Sequence, residues 1–304
     1  MEAIKITILG SGSALPRKNH FHASQVLEVR GNRYMIDCGE GAQIKIGQYG
    51  VSLAKLNNIF ISHLHSDHCI GLVGLISTMA MLGRKESLTI HAHKDLKRIM
   101  SPMLDYFIDE DAFPVIFNDI DPAKHKVIYS DKRVMVSTIP LKHRVPTCGF
   151  LFEEPQGERH LIKAMIDAFE IPIRDLKGIK KGADFVDKEG FVVKNNRLTT
   201  PPTPPRKYAY LSDTLYNEAI LPYIQDADCI YHEATFLETE RERAIKTMHS
   251  TAIDAATIAQ KAGVRQLIIG HYSARYRGQD EFLSEAKTIF QNTVLAKDGL
   301  RVEF

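Results

Sequence analysis

The chain has 304 residues, enough for one large α/β domain or two smaller ones, and its 44% hydrophobic and 25% charged content is ordinary for a folded globular protein. No apolar run approaches the roughly 18 residues of a membrane span, and the N-terminus lacks the basic start, apolar stretch and small-residue cleavage site of a secretory leader, so a cytoplasmic protein with no membrane partner is expected. A formal net charge of +2, from 39 basic and 37 acidic side chains, names no partner; where the charges cluster matters more.

In chain order, residues 4–9 alternate as a strand that ends in the glycine-rich segment 10–16, which completes no dinucleotide or phosphate-loop fingerprint. Residues 26–29 and 34–37 flank Gly31-Asn32 as a hairpin, and a helix follows the break at residues 38–41, running to about Gln48. Residues 59–61 form a short buried strand. Immediately after it comes Ser62-His63-Leu64-His65-Ser66-Asp67-His68-Cys69-Ile70-Gly71, with three histidines and an aspartate within six residues. Imidazole nitrogen and carboxylate oxygen are ligands that zinc and related divalent ions favour. Residues two apart on an extended segment project to one side, so His63 and His65 can grip one ion, while Asp67 and His68 lie where the chain turns toward a second.

Beyond this cluster, 72–82 suits a buried helix, 88–91 a strand, 96–106 a helix, and 115–117, 126–129, 134–139 and 149–153 further strands, with His143 after the third of these four. From 161 to 207 the pattern changes to one short helix, a lysine-rich stretch and the proline run 201–205, which reads as a projecting arm. Strand character returns at 208–211 before Ser212-Asp213-Thr214, at 229–231 before His232-Glu233-Ala234-Thr235, and at 266–269 before Gly270-His271. Helices are expected from about 250 to 262 and from 281 to 291, with Ser250 and Asp280 as caps. Each short apolar strand thus ends in Asp, Glu or His. Together His63, His65, Asp67, His68, His143, Asp213 and His271 supply ligands for two neighbouring divalent ions, with Asp213 able to bridge them, the arrangement that serves phosphoryl displacement. The four cysteines, Cys38, Cys69, Cys148 and Cys229, form no CxxC pair and read as buried thiols rather than ligands.

The ordered set of Ser-His-Leu-His-Ser-Asp-His at 62–68, His143, Ser212-Asp213-Thr214 and Gly270-His271 resembles the metallo-β-lactamase superfamily and, within it, the ribonuclease Z family. The similarity runs nearly end to end and includes 37–41, 68–75, 232–236, 249–251 and 273–276. It implies an α/β fold of the αββα sandwich type, one domain over 1–304 with 163–206 inserted as a tRNA-binding arm. It implies two Zn2+ ions, with Mn2+ or Mg2+ as alternatives: one held by His63, His65 and His143, the other by Asp67, His68 and His271, with Asp213 between. Asp67 then also accepts the proton of the attacking water, and His249, oriented by Glu233, donates a proton to the leaving 3′ oxygen. The implied reaction is removal of the 3′ trailer of precursor tRNA, by metal-hydroxide attack after the discriminator nucleotide.

The resemblance also implies RNA contacts at Lys180 and Lys181 in the arm and at Lys18 and Arg275, and a homodimer in which the arm of one subunit serves the metals of the other. Lysines of this kind neutralise phosphates without reading sequence. Where the family shows Pro-x-Lys-x-Arg-Asn, this chain has Pro16-Arg17-Lys18-Asn19-His20-Phe21, so Arg17 or His20 is the substitute for the absent Arg-Asn pair. Two other function classes are open: a small-molecule phosphodiesterase or sulfatase-like hydrolase of the same superfamily, which does not require the basic arm, and an RNA-binding protein with structural metals, against which the intact ligand set argues because a structural site uses fewer ligands.

Overall fold

The structure is a computed structural model and describes residues 3–17, 20–109 and 111–304. Period-two alternation decides the architecture. Along the strand Cys148–Glu153, Phe150 and Phe152 enter one apolar cluster and Leu151 another; along Lys207–Leu211, Tyr208 and Tyr210 part from Ala209 and Leu211 in the same way. Asn32–Cys38 divides Tyr34 and Ile36 from Met35, and Leu56–Phe60 divides Phe60 from Ile59. A strand buried on both faces needs a layer on each side, and the three clusters are the three interlayer spaces of an αββα sandwich.

One seven-stranded sheet has the order Arg301–Glu303, Lys5–Gly10, Ser24–Val29, Asn32–Cys38, Leu56–Phe60, Leu88–His93, Val115–Ile120. The other runs Thr293–Leu295, Gln266–Gly270, Cys229–Glu233, Lys207–Leu211, Cys148–Glu153, Met135–Pro140, Val127–Ser130. Aromatic rings fill the space between them: Phe60 lies 5.6 Å from Phe150 and 5.3 Å from Phe152, centroid to centroid. Helices Ala42–Gln48, Gly71–Met81 and Asp95–Phe107 cover the outer face of the first sheet through Ile46, Leu72, Leu75, Met79, Leu96 and Met100. Ala252–Ala262 and Asp280–Ile289 cover the second through Ala255, Ile258, Ala259 and Phe282.

The expected elements are present with small shifts. The first hairpin turns at Arg30-Gly31, both at positive φ (48° and 76°), and Asn32 already pairs with Val29. The two expected caps differ. Thr251, not Ser250, closes a capping box with Asp254, because the Ser250 hydroxyl donates instead to the Thr214 carbonyl at 2.6 Å. Asp280 is the first helical residue, where its charge still suits the helix N-terminus, and Gln279 is the N-cap. All four cysteines are buried free thiols.

The chain divides into two compact units, Met1–Glu153 with Lys207–Phe304, and Glu154–Arg206. The second has its own small core of Ile171, Ile179, Phe185, Val193 and Leu198. It contains helices Lys163–Ala168, Ile173–Lys180 and Asn195–Leu198, two more than its sequence pattern suggests, and two two-stranded ladders. Pro172 is the N-cap of the middle helix, and a bidentate pair between Arg206 and Glu154 joins the ends of the unit at 2.8 and 2.9 Å. Among the described residues no helix is long and apolar enough to cross a membrane.

Candidate metal centre

The strands deliver their polar ends to one place. His63 and His65 follow Leu56–Phe60, and Asp67 and His68 sit on the short helix Ser66–Cys69. His143 follows Met135–Pro140, Asp213 follows Lys207–Leu211, and His271 follows Gln266–Gly270. Among the described residues His63, His65, His143 and Asp213 form one group with donor atoms within 4.8 Å of each other, and Asp67, His68 and His271 form another. Asp213 faces both. Its Oδ2 lies 3.5 Å from His63 Nε2 and 3.6 Å from His143 Nε2, and its Oδ1 lies 3.3 Å from His68 Nε2 and 3.1 Å from His271 Nε2. Asp67 Oδ2 completes the second group at 3.6 Å from both His68 Nε2 and His271 Nε2.

Hydrogen bonds from behind set which nitrogen each ring presents. His68 Nδ1 is 2.7 Å from Asp37 Oδ2, His143 Nδ1 is 2.9 Å from the Met248 carbonyl, and His271 Nδ1 is 3.0 Å from the Thr235 hydroxyl. Each contact leaves Nε2 facing inward. Asp37 also accepts from the Ser62 amide at 2.8 Å, the Ser62 hydroxyl at 2.9 Å and the Tyr210 hydroxyl at 2.7 Å. Asp37, Asp213 and His271 all have positive φ, 55°, 59° and 62°, a conformation that costs a non-glycine residue energy and is held by these contacts.

The residues present fit divalent cations. His143 Nε2 is buried with no hydrogen-bond partner, an arrangement that is costly unless something accepts its lone pair. Imidazole nitrogens also face one another directly, His63 Nε2 to His65 Nδ1 at 3.0 Å and His68 Nε2 to His271 Nε2 at 3.3 Å, as ligand atoms converging on a cation do. Burial, reinforced by the neighbouring imidazoles, holds His63, His65 and His143 below the usual imidazole range. They are therefore neutral and free to ligate. The mixed nitrogen and oxygen donor set suits zinc or manganese better than a thiolate-seeking ion.

Beside the two groups lies His249, with ring centroids 4.9 Å from His143 and 5.6 Å from His271. Its Nδ1 is 2.9 Å from Glu233 Oε1. Glu233 is fully buried and also accepts from the Thr214 amide at 2.6 Å and the Thr235 hydroxyl at 2.5 Å. Burial works against charge on His249, but the Glu233 carboxylate, assisted by Asp213, overcomes it and raises the pKa to about 9. Glu233 thus favours the protonated form of His249.

The remaining sequence expectations are scattered. Lys18 lies outside the described residues. Arg275 pairs with Glu240 at 3.3 Å and lies over the Phe236 ring. Arg17 donates to the Tyr276 carbonyl at 3.0 Å, and His20 Nε2 contacts Gln279 at 3.1 Å, so both are engaged within the protein. Lys180 is half-buried and Lys181 exposed, in the Glu154–Arg206 unit. Sequence reasoning did not assign Asp37, Thr235 or the Met248 carbonyl to the site. Asp37 carried a usable signal, since it too ends a short apolar strand in a carboxylate.

A family model described as "Anti-Pycsar protein Apyc1" matches residues 4–161, the half that carries the 62–71 cluster and His143. Relatives named ribonuclease Z extend over the whole chain: one from Bacteroides fragilis is 50% identical over 300 residues, covering 99% of each chain, and one from Porphyromonas gingivalis is 45% identical over 303 residues, covering 100% of each. The chain belongs to the ribonuclease Z family. Among solved structures, the short form of human tRNase Z matches with a TM-score of 0.71 at 22% identity over 98% of both chains. The metallo-β-lactamase fold protein YhfI of Bacillus subtilis matches with 0.68 at 19% over 100% of both. At those identities the two structures speak for the fold, which is the metallo-β-lactamase sandwich.

Proposed function

We propose that the chain is a zinc-dependent endoribonuclease that removes the 3′ trailer of precursor tRNA by cutting after the discriminator nucleotide. The observation that carries this reading is the one carboxylate, Asp213, turned to both ligand groups beside a buried His249–Glu233 pair, in a chain whose ribonuclease Z relatives match it end to end. His63, His65 and His143 would hold one ion, and Asp67, His68 and His271 the other, with Asp213 shared; two Zn2+ are proposed, with Mn2+ or Mg2+ as alternatives. Two divalent ions so held supply charge neutralisation at the scissile phosphate and a water of lowered pKa.

The chain's own groups handle the protons. Asp67, whose Oδ2 is fixed by the Ala14 amide at 2.9 Å, accepts the proton of the attacking water as its oxygen bonds to phosphorus. His249, its Nδ1 held by Glu233, delivers a proton from Nε2 to the leaving 3′ oxygen. The P–O3′ bond breaks, the tRNA keeps a 3′ hydroxyl and the trailer keeps the phosphate.

The Glu154–Arg206 unit, with residues 163–206 as the inserted segment, is the proposed tRNA grip. Lys180 and Lys181 would contact phosphates there, and Lys18 and Arg275 are the further proposed RNA contacts. A homodimer is supported by the apolar stripe of helix Asp95–Phe107, where Ile99, Met103 and Tyr106 are exposed at helical spacing and Tyr106 is 82% accessible. Processing of precursor tRNA also supports a cytoplasmic location.

Incubation with a precursor tRNA and zinc or manganese should release tRNA ending at the discriminator with a 3′ hydroxyl. Asp67→Ala should abolish this cleavage while leaving tRNA affinity largely intact. Cleavage elsewhere, or turnover of small phosphodiesters in its place, sinks the assignment. The pH profile tests the proton donor: cleavage falls as pH rises through the His249 pKa, and Glu233→Gln removes the charge that raises it, so the alkaline limb should move to lower pH. An unmoved limb argues against the role. Replacing Lys180 and Lys181 together by Ala should raise KM severalfold and flatten its salt dependence without changing kcat. Sedimentation should find a dimer that Tyr106→Asp weakens; a monomeric wild type refutes the dimer.

A further inference from the structure

The described residues of the loop from Ser11 to His22 contribute no ligand to the two groups, yet they touch two of the candidate ligands. The Ser11 carbonyl accepts the His271 amide at 2.9 Å and the Tyr272 amide at 3.3 Å, holding the backbone of His271 at its positive φ. The Ala14 amide, itself on a residue at φ 49°, donates to Asp67 Oδ2, and the Ala14 carbonyl is 3.2 Å from His22 Nε2. The Ser13 hydroxyl adds a bond to the Tyr272 carbonyl at 3.1 Å. Both ligands so held belong to the group of Asp67, His68 and His271; the described hydrogen bonds of this loop include none to His63, His65 or His143.

What holds the loop is a buried carboxylate near the other end of the chain. Asp298 Oδ1 accepts from the Ser11 amide and the Ser11 hydroxyl, both at 3.2 Å, and Oδ2 accepts from the Phe21 amide at 2.9 Å, so one side chain pins the two ends of the loop. Its counter-charge is Lys45, whose Nζ is 3.8 Å from Oδ2 and 4.0 Å from the Phe21 ring centroid, with both charged side chains nearly excluded from water. Close approach reinforces the clamp, since a Cβ on Gly10 would stand 1.9 Å from the His22 carbonyl oxygen.

We infer that Asp298 is a positioning residue for one of the two metal sites: through Ser11 and Phe21 it sets the loop that fixes the His271 backbone and the Asp67 carboxylate. This rests on the proposed two-metal reading of the ligand groups. The chemistry is that of outer hydrogen bonds that orient ligands, relayed here through main-chain amides instead of a side chain on each ligand. The clamp acts on one site of the pair. Its loss therefore separates the two sites, whereas a merely structural role would weaken both.

Equilibrium dialysis of the full-length protein against buffered zinc, with the bound metal counted, tests this without recourse to activity. Wild type should bind two zinc ions. Asp298→Ala should leave one zinc site unchanged and weaken the other by about 10–100-fold. Asp298→Asn, which keeps acceptor capacity on one oxygen only and the shape of the side chain, should lose less and serves if the alanine variant fails to fold. His143→Ala supplies the opposite control by removing a ligand of the other group. Two unchanged zinc affinities in Asp298→Asn and Asp298→Ala, or equal weakening of both sites, overturn the positioning role. A wild type that binds fewer than two ions overturns the two-metal reading instead.

Discussion

The grip of Asp37 on Ser62, His68 and Tyr210 joins the two sheets where the candidate metal ligands emerge. Asp37 lies on the strand Asn32–Cys38 of one sheet, Ser62 follows the neighbouring strand, and Tyr210 belongs to the other sheet. Buried carboxylates are costly unless every oxygen is matched, and here four donors converge on two oxygens. That requirement fixes the separation of the sheets at their C-terminal edge to within the tolerance of a hydrogen bond. Apolar packing between Phe60 and Phe150 cannot do this alone, since rings tolerate sliding that ligand geometry does not.

Strain and support go together around the site. Asp213 and His271 leave their strands in the left-handed region, and Asp37 adopts it at an irregularity within its own strand, which turns each side chain toward the neighbouring strand end. Such a turn persists only where surrounding bonds hold it. The Ser11 carbonyl holds His271, the Ser212 hydroxyl bonds to Asp213 at 3.0 Å, and the Ser62 backbone and hydroxyl hold Asp37. These bonds offset the cost of the strained turns.

Much of this was legible in the sequence where chemistry is dense and local. Three histidines and an aspartate within 63–68 leave few alternatives, and period two in 148–153 and 207–211 announces strands buried on both faces. Isolated ligands such as His143 and Asp213 became legible from their recurrence at strand ends. The pairing of Glu233 with His249 needed the family resemblance, because the two lie 16 positions apart across loop and helix and no periodicity predicts the contact. The cap at Thr251 was missed by one residue because Ser250 has an equally suitable hydroxyl, and only the tertiary contact with Thr214 decides between them. Helices of the Glu154–Arg206 unit are too short for a helical period to stand out. Asp298 was unreadable: its bond to Ser11 spans 287 residues.

That span has a consequence for how the protein is made. Synthesis from the N-terminus produces His63, His65, Asp67 and His68 before His143, while Asp213, His271 and Asp298 follow far later. Until His271 is made, the group it completes consists of two adjacent residues, Asp67 and His68, and the loop at Ser11 has nothing to close against. The strand Arg301–Glu303, which pairs with Lys5–Gly10, follows Asp298. A nascent chain can therefore fold its first helices and strands before the residues that complete both candidate ligand groups have been made.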